Sequence, residues 1–81
     1  MPLRLIEAEM LEIVTFRGHT ISALSTLVGD GRWRASYTVC RYGERIRISS
    51  EAPFQSSREL AESAAILLAI QYVEDRLRRP Q

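Results

Sequence analysis

Residues 64–70, Ala-Ala-Ile-Leu-Leu-Ala-Ile, are apolar at every position. They sit inside the one stretch of the chain that reads as a long helix, residues 56–79. A helix resting on a single sheet needs an apolar stripe and leaves the rest of its surface polar. An apolar circumference therefore asks for cover on a second side. At about 100° per residue the helix carries two apolar arcs. One holds Leu60, Ala61, Ala64, Ala65, Leu68 and Tyr72, with small residues suited to close packing on a sheet. The other holds Ile66, Leu67, Ile70, Val73 and Leu77. One arc covers the sheet, and the other needs the N-terminal segment, a partner or a second copy of the chain.

At 81 residues the chain reads as a single domain, 1–81. A chain this short buries only about 60% of its unfolded surface, so its stability margin is thin and oligomerisation is a common remedy. Hydrophobic residues make up 46% and charged residues 26%, with a net charge of +1. That balance exerts no global pull on nucleic acid or an anionic membrane, so an electrostatic partner has to be selected by a local patch. A lone cysteine, Cys40, excludes an internal disulfide and fits a reducing compartment. Glu7, Glu9 and Glu12 stand where a signal peptide needs its apolar stretch. The longest apolar run, seven residues, is far short of the ~20 that span a bilayer. The expectation is a cytoplasmic protein without a membrane segment. All eleven cations are arginine, and lysine and asparagine are both absent. Selection for guanidinium chemistry would not remove asparagine, so codon bias explains the pair better.

Side-chain parity organises the middle of the chain. Residues 1–10 stay open between a marginal helix, a strand and a flexible lead-in, and residues 11–17 read as a strand ending at Gly18. In the next hairpin Trp33, Ala35, Tyr37 and Val39 alternate with Arg32, Arg34, Ser36 and Thr38, giving one apolar and one polar face. A two-residue Asp-Gly loop would send Ile21 and Ala23 to the polar face. A three-residue Gly29-Asp30-Gly31 loop instead sets Leu27 opposite Trp33, Ala23 opposite Tyr37 and Ile21 opposite Val39, with Gly31 left-handed. Around Gly43-Glu44, the expected pairing is Val39 with Ile48 and Arg41 with Ile46. That places Arg45 and Arg47 outside, in line with Arg32 and Arg34. Ser56 and Glu59 form a capping-box pattern, and Glu74–Arg78 and Asp75–Arg79 are i,i+4 pairs before Pro80. The fold class is α+β: an antiparallel three- to four-stranded β-meander over 11–50, packed against one long C-terminal α-helix.

Two resemblances follow from these residues. Phe-Arg-Gly-His-Thr-Ile (16–21), Gly-Asp-Gly-Arg-Trp-Arg-Ala-Ser-Tyr-Thr-Val (29–39) and the Phe54–Ala61 helix start resemble a family of small, functionally uncharacterised proteobacterial proteins. That family opens on aromatic-Arg-Gly-aromatic-x-Ile and carries a Gly-Arg-Trp-x-Ala strand and an acidic-Ala helix start. The resemblance implies a β-meander followed by a helix and no activity, and this chain departs from it at His19 and in its more apolar helix. The three strands and the helix start Ser57–Ala65 also resemble the second half of a double-stranded-RNA-binding domain. Such domains grip phosphates with lysines at this helix start. Arg58, Glu59 and Glu62 stand at those positions here, so two of the three signs are reversed and most phosphate affinity goes with them.

Catalysis has little to stand on. His19 reads as a lone surface histidine beside a turn, and Cys40 as an outer-face thiol opposite Arg47 with no base and no third orienting group. No metal-ligand spacing is present, and neither cofactor nor metal is expected. The favoured expectation is a small non-enzymatic protein-interaction module that associates with itself or another protein through Ile66, Ile70, Val73 and Leu77 on the helix. The alternative is a nucleic-acid (RNA)-binding domain using Arg32, Arg34, Arg45 and Arg47 on the outer sheet face. It ranks second because Trp33 and Tyr37 point inward and leave that face without stacking partners.

Overall fold

The computed structural model describes residues 9–79, and the lead-in through residue 8 lies outside them. Four strands run in chain order: β1 (Glu9–Phe16), β2 (His19–Val28), β3 (Arg32–Arg41) and β4 (Glu44–Ser49). A single helix, α1 (Arg58–Arg78), follows. Every neighbouring pair is antiparallel, and the sheet order is β1-β2-β3-β4. This is the α+β meander that parity implies. Glu9 and Met10, left open between helix and strand by their sequence, open β1.

Each hairpin closes on a residue–glycine pair with both φ angles positive: Arg17-Gly18, Asp30-Gly31 and Tyr42-Gly43. Two consecutive left-handed residues mark a type I′ turn, whose twist matches that of the strands it joins. In the central hairpin Arg32 N–H donates to the Gly29 carbonyl at 3.3 Å. Leu27 lies opposite Trp33, Ala23 opposite Tyr37 and Ile21 opposite Val39, the register of the three-residue loop. Asp30 joins Gly31 in the left-handed region.

The β3–β4 hairpin differs from its expected register. Its turn is Tyr42-Gly43, so Arg41 pairs with Glu44 and Cys40 with Arg45. A bulge then leaves Ile46 unpaired, Val39 meets Arg47, and Thr38 meets Ile48. One extra residue on one strand reverses which side each later side chain faces. Arg47 therefore turns toward the helix, and Ile48 turns to the outer face, where it is 57% exposed.

Helix α1 packs chiefly over β2 and β3 and touches β1 lightly. The geometry sets that limit. Strands lie ~4.8 Å apart, while a helix is about 10 Å across, so one helix covers roughly two strands of four. Its sheet-facing row is Ala61, Ala65, Ala69 and Val73, all fully buried. They meet Ile21, Ala23, Ala35, Tyr37 and Val39 from the sheet, with Ala52 closing the core. The buried row thus cuts between the two arcs read from the sequence. Leu60 turns to solvent, and Val73 turns inward.

Chain direction into the helix is set by a two-way backbone bridge between Trp33 and Gln55, with both N–H···O distances 2.8 Å. The bridge keeps the chain extended through Gln55. The cap consequently falls on Ser57, whose Oγ accepts from Leu60 N–H at 3.2 Å, and the Ser56–Glu59 box is not the one used. At the other end Asp75 and Arg79 form the expected ion pair at 2.7 Å. Between them, buried Ser25 donates to Glu62 Oε2 at 2.8 Å and ties β2 to the helix.

Two substitutions test this packing. Tyr42 is left-handed and 90% exposed, with its ring and hydroxyl against Arg41. A bulky residue there costs about 1 kcal/mol that asparagine largely avoids. Tyr42→Asn is expected to raise the melting temperature by a few degrees, and calorimetry reads it directly. Ala65→Leu pushes a side chain into a closed helix–sheet contact. It should lower stability by about 1–3 kcal/mol in urea denaturation.

Candidate interaction surfaces

The four arginines expected to form one outer stripe do separate things. Arg32 and Arg34 lie on the outer face at one end of β3, and both guanidinium groups sit over the Phe54 ring, 4.7 and 4.8 Å from its centroid. Arg45 lies opposite Cys40 near the other end of the strand, where Arg47 was expected. Arg34 and Cys40 are six positions apart on β3, about 20 Å of strand. Phe54 supplies an aromatic that the outer face lacked in the sequence reading. Its placement follows from the Trp33–Gln55 bridge, which no local pattern announces.

Arg47 is held on the helix side by two aromatic partners. Its Nε donates to Tyr37 Oη at 3.3 Å, and its guanidinium lies 5.1 Å over the Tyr72 ring. The hydrogen bond to Tyr37 is the main cause that raises its pKa above the ordinary arginine value. An open groove of about 510 Å³ runs between Arg47, Tyr72, Asp75, Arg76 and Arg79. The Asp75–Arg79 ion pair neutralises part of its charge.

His19 is fully buried, a correction to its surface placement. Its parity puts it on the inner face opposite Phe16, and Nδ1 lies 2.9 Å from the Arg17 carbonyl. The tautomer with the proton on Nδ1 satisfies that contact, while Nε2 has no partner among the described residues. Cys40 is half-buried on the outer face. It stands at the His19 end of the sheet but on the opposite side of it, so the two do not face one another. No group of three or more His, Cys, Asp or Glu side chains clusters among the described residues. No described helix is long and apolar enough to cross a membrane.

The helix stripe resolves into three environments. Val73 is fully buried in the monomer. Ile66 and Ile70 are half-buried against the edge of the core. Leu77 is 43% exposed, and it is joined on the solvent side by Leu60 at 51% and Leu67 at 56%. The exposed apolar residues of the outer sheet face are arranged differently. Across one row Ile13 neighbours Ser22, Ser22 neighbours Thr38, and Thr38 neighbours Ile48. Hydroxyls separate the two isoleucines in that row, while exposed Leu24 lies opposite Leu11 two residues along. On α1 the spacing keeps leucines and isoleucine on one side. No family model, curated protein or solved structure matches this chain.

The bulged register has a direct check. Ile48→Thr should change stability by no more than about 0.5 kcal/mol, as an outer-face substitution does. A loss of about 2 kcal/mol would put residue 48 back in the core.

Proposed function

We propose that this protein is a small non-enzymatic interaction module that self-associates through the solvent face of α1. The supporting observation is the exposure of Leu60, Leu67 and Leu77 on the side of the helix away from Ala61, Ala65 and Ala69. Three leucines on a 21-residue helix, all left in water, form the kind of surface that marks a protein contact. Six of the ten core residues are alanine, so the monomer buries little apolar area per residue, and association adds what the core lacks. The contact uses Ile70 and Leu77 from the expected stripe, adds Leu60 and Leu67, and leaves Val73 to the fold. The lone Cys40 suits a reducing, cytoplasmic setting.

A second reading has one observation in its favour. Arg32 and Arg34 both lie over Phe54 on the outer face, an aromatic ring grouped with two cations of the kind that single-stranded nucleic acid uses. Binding to an oligonucleotide that weakens steeply with salt, and vanishes in Arg32→Gln/Arg34→Gln, would establish it.

Sedimentation velocity separates the helix contact from the core. Leu67→Glu should yield monomer at concentrations where the unsubstituted chain is dimeric, with the melting temperature of dilute protein unchanged. Val73→Ala should lower stability by about 2 kcal/mol through the lost core packing. A monomeric unsubstituted chain at all accessible concentrations would reject the proposal.

A further inference from the structure

The exposed side of α1 has a finer order than a patch. Leu60, Ser63, Leu67, Ile70, Glu74 and Leu77 follow one another at alternating steps of three and four residues, the a/d spacing of a heptad seam. None of the six is fully buried, and Leu60, Ser63, Leu67 and Leu77 are exposed. Ala61, Ala65 and Ala69 lie on the far side of the same helix, and at its C-terminal end buried Val73 and half-buried Ile70 bring the core up to the edge of the seam. Among the described residues, Leu60, Ser63, Leu67 and Leu77 are thus open to another helix, with Ile70 and Glu74 half-buried between them.

Its two polar members decide how. If a second copy packs parallel, like positions face each other and Glu74 meets Glu74 of the other copy inside the seam. Two carboxylates so placed repel, and neither has a donor. If it packs antiparallel, a-positions face d-positions. Leu60 then meets Leu77, Leu67 meets Ile70, and Ser63 meets Glu74, each twice by symmetry. Apolar layers meet apolar layers, and the Ser63 hydroxyl becomes a donor to the Glu74 carboxylate. The same seam that disfavours one orientation is complementary to itself in the other.

We propose that the protein forms a two-fold symmetric dimer in which two copies of α1 pack antiparallel, with the axis passing midway between Leu67 and Ile70. This rests on the self-association reading above and adds the partner's identity, orientation and register. The contact is isologous, as a two-fold dimer requires. A seam from Leu60 to Leu77 is about 26 Å long. One helix per copy makes a small contact beside the 1,200–2,000 Å² that stable interfaces bury, so the dimer should exchange with monomer on dilution.

Cysteine cross-linking in a Cys40→Ser background reads the register. Ser63→Cys and Glu74→Cys protein, mixed and mildly oxidised, should give a disulfide-linked heterodimer, while each variant alone should give none. Cross-linking of each variant with itself and not with the other would establish a parallel pair, overturning this proposal and leaving self-association intact. Absence of every cross-link together with monomeric sedimentation would overturn both. A nitroxide at Glu59→Cys gives an independent reading: antiparallel helices hold the two labels about 28 Å apart along the axis, parallel ones side by side. A short inter-label distance would overturn the proposal even if the cross-linking variants failed to fold.

Discussion

The row Ala61, Ala65 and Ala69, pressed against Ala23 and Ala35, is the contact on which the rest of the molecule depends. Methyl side chains on both layers let the helix come close to the sheet. They also leave no space there for a leucine or isoleucine. The larger apolar residues of α1 are consequently driven to its flanks and its far side. Ile66, Leu68, Ile70 and Tyr72 lean on the rim of the core, while Leu60, Leu67 and Leu77 are left in water. A tightly apposed, alanine-rich core and an apolar outer helix face are thus two results of one packing choice. The first weakens the monomer, and the second offers a way to compensate.

Much of this was legible because strand parity is strict. Ile21, Ala23 and Trp33 could reach one face only with a three-residue loop, and the Leu27–Trp33 register follows from that alone. The fourth strand was not legible, because a bulge breaks parity without a required residue type. Ile46, Arg47 and Ile48 read equally well in either phase, and only the tight Tyr42-Gly43 turn followed by a shift sends Arg47 inward. The helix shows a related limit. The angular reading gave two arcs but could not say where the sheet would cut them, and Val73 and Leu60 changed sides. His19 looked exposed because it follows a turn glycine, although its parity is that of Ile21.

Arginine does different work at each site, despite the suspicion that its abundance reflects base composition. Arg32 and Arg34 stack on Phe54, Arg47 is fixed between Tyr37 and Tyr72, and Arg79 closes the helix end on Asp75. A planar guanidinium can use the edge and the face of aromatic rings together, which an ammonium does less well. The chain has no asparagine, the residue best suited to left-handed turn positions after glycine. Arg17 and Tyr42 occupy two such positions, so local strain accompanies otherwise well-matched turns.

The central claim is that α1 has two functional sides, one committed to the sheet and one to a second copy. Methyl NMR with a soluble paramagnetic agent, recorded at high and low protein concentration, addresses it directly. The account predicts that Leu60, Leu67 and Leu77 methyls are shielded in the concentrated sample and become accessible on dilution, while Ala65 and Val73 stay shielded in both. Uniform accessibility of the leucines at every concentration, or concentration-dependent shielding at Ile13, Leu24 and Ile48 in their place, would contradict it.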